Sequence, residues 1–401
     1  MTAGKWLLPA QPDPPYFADI VPLEFLMSYS LPSLTPETLA SLPSPAYVIF
    51  RDRLIQNLES MIQVAKDPSR LRPHCKTHKM SRVIEMWVER GVTKHKAATI
   101  AECEMCAAAG AEDVLLAYNP VGPNVDRLIS LARTYPNCRF SATTDDARPL
   151  QVLSAAAAQA GVTIGIWLDV NVGMDRTGMT PETPGAAQLY HSVSSLPGLE
   201  PAGFHVYDGH QRQGDLMERR AAVSAEWTRV LTLRSQVESL GTAVPAFACG
   251  GTPTFPCYAA MSDPAIQLCP GTSVLSDCGY GTAFPDLPFA PAAAILTRVV
   301  SRPATDRMTL DLGNKAVAAD PPKGARVVFP DIPEAVQDIH SEEHLVLVTA
   351  AAENYAPGDA LLAVPVHVCP TSALYDRAAI ADNGKISEYW EITSRNRRIS
   401  I

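Results

Sequence analysis

The chain has 401 residues, 47% of them hydrophobic and 19% charged, and a formal net charge of −9. That length suits two domains or one large barrel with an addition, and the apolar fraction argues against a disordered chain. The acidic balance argues against general nucleic-acid binding. No apolar run reaches the roughly 18 residues of a membrane span, and the longest, Phe289 to Val300, carries Arg298.

The start, Met1 to Trp6, lacks the long apolar core of a signal peptide. Residues 1–45 are rich in proline and read as irregular, with a short helical pattern at Pro36–Leu42. Tyr47–Phe50 reads as a strand, and apolar residues at 54, 58, 61, 62 and 65 give the next segment a helical face. Strand and helix then alternate. Strands are expected at 71–75, 95–99, 113–118, 139–143, 163–170, 201–207, 246–250 and 266–271. Helical patterns fall at 81–89, 101–109, 124–134, 147–160, 184–195 and 215–239. Eight such strands predict an α/β fold, a parallel sheet closed into a (β/α) barrel. After about residue 290, short strands at 294–300, 308–312, 326–329 and 345–349 predict a smaller, mainly antiparallel β domain. The expected division is an N-terminal segment over 1–50 packing with the β domain, a barrel over 51–290 and the β domain over 291–401. The strand at 47–50 precedes the barrel and fits either unit. Nine cysteines without a framework spacing fit a reduced, cytoplasmic protein. Cys103 and Cys106 form a C-x-x-C on a helical pattern rich in alanine and glutamate, which reads as packing.

In a barrel of this kind chemistry gathers at the carboxyl ends of the strands. The first ends in Leu71 to Lys79, where Arg72, His74 and Lys76 would share a strand face. Three such groups resist burial together unless an anion sits there or the lysine is a nucleophile; a solvated basic edge is the plainer alternative. After the fifth strand, Arg176 follows a Gly turn and can reach back over the barrel mouth, or is simply a surface loop charge. The sixth ends in Tyr207-Asp208-Gly209-His210, an aromatic face and a general acid or base, or simply a polar turn. The seventh and eighth end in Gly250-Gly251-Thr252 and Pro270-Gly271-Thr272-Ser273. Gly lets the backbone approach an anion and Thr adds a donor, so the two loops together predict a phosphate site. In the β domain, His367 and Cys369 would share a strand face as ligands for a divalent ion, Zn²⁺ above all. Alone, that pair reads as well as a core cysteine beside a hydrogen-bonded histidine. Ser341 to His344 reads as an exposed turn.

Arg72-Pro73-His74-Cys75-Lys76-Thr77-His78-Lys79 resembles the R-P-H-x-K-x-H-K signature of the D-threonine aldolase and D-serine dehydratase family. The resemblance covers nearly the whole chain from about residue 44, through both glycine loops, Ser341 to His344 and the His-x-Cys-Pro stretch. It implies a pyridoxal-phosphate enzyme of the alanine-racemase-like fold (fold type III), a homodimer using a zinc or manganese ion. The implied reaction is D-threonine-aldolase-type cleavage of 3-hydroxy-D-amino acids to glycine and an aldehyde. Dehydration of D-serine or 3-hydroxyaspartate is the alternative, a racemase the third, and a non-catalytic cofactor carrier a reading of a different class. By the same resemblance Lys76 carries the cofactor as a Schiff base, and Arg176 and Tyr207 approach it. Gly250, Gly251, Thr252, Gly271 and Thr272 cradle its phosphate, and His367 and Cys369 hold the metal. The chain departs from the aldolases at Cys369, where they carry Asp and D-serine dehydratases carry Cys. It departs again at Asp208 and Gln213, where they carry histidines. His210 is the base expected to take over.

Overall fold

The computed structural model describes residues 30–401, so most of the expected irregular start lies outside the described residues. Alternating apolar runs and amphipathic helices build a parallel sheet first. Its strands are preceded by β1 (Ala46–Phe50), and run as β2 (Lys94–Ala97), β3 (Asp113–Leu116), β4 (Arg139–Thr144), β5 (Ile164–Val170), β6 (Leu199–Val206), β7 (Phe247–Cys249) and β8 (Ile266–Leu268). The strands β2 to β8 pair in chain order, each parallel to the next. Helices between them bury the apolar faces read from the sequence. Ala147–Ala160 starts at Asp146, whose side chain accepts from Arg148 N at 2.7 Å, and stops at Gly161, at φ 66°.

Seven strands form this sheet, not eight. The segment expected as strand one touches both outer strands through single bridges, Leu71 to Leu268 and His74 to Lys96. Arg72 N and His74 N donate to Leu268 O and Pro270 O at 2.8 and 2.9 Å, and Lys96 N donates to Pro73 O at 3.0 Å. Pro73 has no N–H to extend a ladder, and the chain turns at once into a 3₁₀ turn, Cys75–Thr77. Lys76 therefore sits on a turn and does not share a solvated strand face with Arg72. The Arg72 side chain is fully buried inside the curled sheet, 2.8 Å from Asp113 Oδ1, donating to Gln267 Oε1 at 2.6 Å and lying over Trp167. The Asp113 carboxylate, the Gln267 amide and His95 O hold Nε and one terminal nitrogen of this buried guanidinium, and the other terminal nitrogen has no partner.

The second sheet is mostly antiparallel. It holds β1, β9 (Ala293–Ala304), β10 (Arg307–Leu310), β11 (Val327–Val328), β12 (Val336–His340), β13 (Leu345–Val348), β14 (Ala360–Pro365), β15 (Arg377–Asp382) and β16 (Lys385–Glu391). The early strand β1 lies between β9 and β15, antiparallel to the first and parallel to the second. The 12-residue β9 is longer than the short strands expected, because its outer half runs out to pair with β10. Ser341 to His344 is an exposed turn from β12 to β13. Among the described residues no helix is long and apolar enough to cross a membrane.

Candidate active site

A cleft opens at the carboxyl ends of the parallel strands. His74, Lys76, Lys96, Tyr207, Asp208, Gly251, Thr252, Gly271 and Thr272 are among the residues that line it. His74 caps the Cys75–Thr77 turn, its Nδ1 accepting from Lys76 N at 3.3 Å, which fixes the lysine at the mouth. Burial, with Lys96 and Lys76 nearby, holds the His74 imidazole well below its ordinary value, so it is neutral.

The loop after β5 is held by Asn171 Oδ1, which accepts from Gly173 N at 3.0 Å and Asp175 N at 3.1 Å. It brings the Arg176 guanidinium over the Tyr207 ring, 4.6 Å from its centroid. The two glycine loops are tied to one another. Thr252 Oγ1 accepts from Gly271 N at 3.2 Å and Thr272 N at 3.0 Å. Gly250, at φ 71°, makes the turn, and a Cβ there would lie 2.7 Å from Thr254 Oγ1. A Cβ on Gly251 would come within 3.2 Å of the Tyr207 ring, and one on Gly271 within 3.2 Å of His74 Cβ. These glycines keep open a backbone-lined hollow next to Lys76, as a phosphorylated aldehyde requires. The residues present fit pyridoxal phosphate: an amine, an aromatic face under a guanidinium, and two glycine–threonine loops.

Beneath the Gly250 loop, Thr254 Oγ1 donates to Asp208 Oδ1 at 2.8 Å. Burial and the charge of Glu226 push the Asp208 carboxyl up to about 6 in spite of that bond. The folded chain therefore takes up this proton more readily than the unfolded chain, whose value is 3.8. The associated stability is complete below 3.8 and is lost as pH rises through about 6. Asp208→Asn should raise stability by up to about 3 kcal/mol at pH 8, and the gain should vanish toward pH 4. Thermal melts of both proteins across that range check this; an equal gain at both ends would remove titration as the cause.

His210 is not among the residues lining the cleft. Its Nε2 lies 2.7 Å from Glu226 Oε1, and it packs against Gly173, so it faces the long helix Leu216–Ser239. Asp-Gly before it forms the polar turn that the sequence also allowed.

Cys369 lies by the Lys76 turn and His367 pairs with Cys369, but neither stands on a strand. His367 precedes the short helix Val368–Ser372, whose first N–H, Val368 N, donates to Asp277 Oδ2 at 3.0 Å. The alternation Val-His-Val-Cys mimics a strand; the Asp277 acceptor on Val368 N makes it a helix start, and Pro370 fits in that first turn. Cys369 Sγ sits 3.1 Å from Thr77 Oγ1 and 3.4 Å from Thr272 Oγ1, between the Lys76 turn and the cradle. Burial works to raise its thiol, but the His367 hydrogen bond and the Lys76 charge outweigh it and lower the value. Burial likewise opposes protonation of His367, yet Cys369 and Asp320 raise it to about 9. An imidazole oriented through Nδ1 by a carboxylate, next to a thiolate-prone cysteine, fits a zinc-type site. A second grouping, His74, Cys75 and Glu102, fits a metal less well. Glu102 already pairs with Lys79 and accepts from Ala98 N and the Cys75 thiol, and His74 Nδ1 holds the turn.

Sequence reading missed Lys96, His205 and Asp169. Lys96 points inward from β2, its Nζ 3.3 Å from His205 Nε2, and His205 Nδ1 is 2.7 Å from Asp169 Oδ1. The signal was a charged or titratable residue near the carboxyl end of three parallel strands, β2, β5 and β6, where aliphatic residues are the norm.

Residues 49–272 match the family described as alanine racemase, N-terminal domain, and residues 292–381 match the putative serine dehydratase domain. The chain is 29% identical to D-threonine aldolase of an Arthrobacter species over 91% of its length and 96% of that protein. It is 24% identical to D-threo-3-hydroxyaspartate dehydratase of a Delftia species over 88% of its length and 98% of that protein. The crystal structure of D-threonine aldolase from Filomicrobium marinum superposes with a TM-score of 0.81 at 29% identity, over 89% of this chain and 97% of that one. Structures of the dehydratase superpose at 0.78 and share the fold; one of its variants, with a cysteine replaced by alanine, is described as metal-free.

Proposed function

Because this chain belongs to the alanine racemase N-terminal domain family, we propose that it is a lyase dependent on pyridoxal phosphate and a zinc or manganese ion. It cleaves 3-hydroxy-D-amino acids in the manner of D-threonine aldolase, giving glycine and an aldehyde. The observation that carries the reading is Cys369 lodged between Thr77 and Thr272. That contact supports a metal-ligand pair next to the proposed Schiff-base lysine and phosphate cradle, an arrangement a carrier or a racemase has no use for. Pyridoxal phosphate, held by Lys76, Arg176, Tyr207 and the loops of Gly250 to Thr252 and Gly271 to Thr272, supplies an electron sink for charge left at Cα. The metal, held by His367 and Cys369, supplies a Lewis acid for the substrate's 3-hydroxyl. Lys76 is the amine at the mouth that moves a proton at Cα, and buried His74 fixes its turn and adds no competing positive charge.

A second reading, dehydration of D-serine or 3-hydroxyaspartate, is favoured by one placement. Cleavage between Cα and Cβ calls for a base at the hydroxyl, and His210 is engaged with Glu226 away from the cleft. Dehydration calls for a base at Cα, where Lys76 stands. The described variants of the Delftia dehydratase alter a histidine and a cysteine two positions apart, the order His367-x-Cys369 has here. A product assay decides between them, with purified protein, pyridoxal phosphate and Mn²⁺ or Zn²⁺, given D-threonine and D-serine separately. Glycine plus acetaldehyde from D-threonine supports the aldolase. Pyruvate from D-serine, or 2-oxobutanoate from D-threonine without glycine, overturns it for the dehydratase.

We further infer a cytoplasmic homodimer with small D-amino acids as its partners, divided into 1–50, 51–290 and 291–401. Nine free cysteines support the reducing compartment. The bridges from Leu71 and His74 to both outer strands support residues 71–75 as the eighth element closing the barrel.

A further inference from the structure

We propose that Lys96 is a cofactor-binding residue whose ammonium donates a hydrogen bond to the pyridine nitrogen or the phenolic oxygen of the pyridoxal phosphate at Lys76, with His205 and Asp169 as positioning residues. This rests on the proposed function and extends it to the floor of the cleft. Lys96 is 2% exposed yet lines the same cleft as Lys76 and Tyr207. Asp169 accepts from His205 Nδ1 at 2.7 Å, which leaves Nε2 as a lone pair facing Lys96 Nζ at 3.3 Å. The imidazole thus aims the ammonium without neutralising it. The Tyr207 ring lies alongside, 5.4 Å from Nζ to its centroid.

The contrast with Arg72 is informative. Both cations are buried inside the same curled sheet, but Arg72 has its own carboxylate at 2.8 Å. Lys96 has a neutral imidazole instead and carries three donors. Its charge is opposed by burial and by Lys76 and Arg176, and favoured by Asp169 and Cys269. An ammonium kept on such terms at the wall of a cleft is stabilised by an acceptor arriving there. The pyridine nitrogen and the phenolic oxygen of the cofactor are such acceptors, and the cradle beside Lys76 brings that ring within the same cleft.

The test is titration of the purified full chain with pyridoxal phosphate, read by its visible absorption band, for wild type, Lys96→Met, Lys96→Gln and His205→Asn. Loss of a charge-assisted hydrogen bond should weaken cofactor binding about 10–100-fold in Lys96→Met and move the band. Lys96→Gln, which keeps a neutral donor, should recover part of both. His205→Asn leaves the lysine in place and should move the band with a smaller loss, which keeps the proposal testable if Lys96→Met does not fold. Variants that melt lower yet bind the cofactor with wild-type affinity and an unmoved band would show Lys96 to be structural only. Absence of any band in the wild type would instead overturn the cofactor assignment itself.

Discussion

Lys76→Ala should lose the visible band of bound pyridoxal phosphate and lower turnover of 3-hydroxy-D-amino acids by about 10²–10⁴-fold. The turn Cys75–Thr77 presents this amine to the cleft. Cys75 is buried and donates to Glu102, Thr77 is buried against Cys369, and Lys76 between them lines the cleft. Alanine fits the same turn, since neither neighbour depends on the lysine side chain for its contacts, so the fold should survive and the loss should be chemical. Dialysis of the loaded protein, spectra before and after, and a rate measurement distinguish the cases. A band that persists through dialysis in Lys76→Ala would mean that another amine carries the cofactor, and Lys96 would be the one to test.

Removing the metal pair should be nearly as costly. Cys369→Ala should leave the purified protein without its divalent ion and reduce turnover by at least about 100-fold, since loss of a supporting carboxylate alone costs 10–100-fold in such sites. Asp320→Ala, which removes the partner of His367 Nδ1, tests that supporting role and should fall within that 10–100-fold range of metal affinity. Chelation of the wild type should reproduce the Cys369→Ala rate, and added Zn²⁺ or Mn²⁺ should restore the wild type but not the variant. Full metal content and full activity in Cys369→Ala would return the pair to the reading of a core cysteine beside a satisfied histidine.

What the sequence made legible follows the length and regularity of each signal. Helices at Asn124–Thr134 and Ala147–Ala160 match the apolar period to the residue, because each carries a long stripe, and the second also has an Asp146 cap and a Gly161 stop. The first strand did not survive, since Pro73 interrupts its ladder and only single bridges remain. The glycine loops were legible as a pair because two loops with the same chemistry end adjacent strands. His367 and Cys369 were legible as a pair, while their strand was not: a period of two over four residues is too short to exclude a helix start whose acceptor, Asp277, is 91 residues away in sequence. His210 was misplaced for a similar reason, as its partner Glu226 lies on a distant helix turn. Lys96 went unnoticed because a lysine in a polar strand reads as surface until the strand's neighbours are known.

The residues gathered around Lys76 come from two separate sheets. The amine and the glycine loops belong to the parallel sheet, whereas His367 and Cys369 stand at the start of one short helix after β14, fastened by the Ser372 hydroxyl to Thr77 O. On the proposed reading, the metal would in evolutionary terms be an exchangeable part: substitutions at and just before this short helix would change which ion is held, while the loops that would grip the cofactor stay as they are. Divergence between aldolase and dehydratase within one architecture would then need no rebuilding of the parallel sheet.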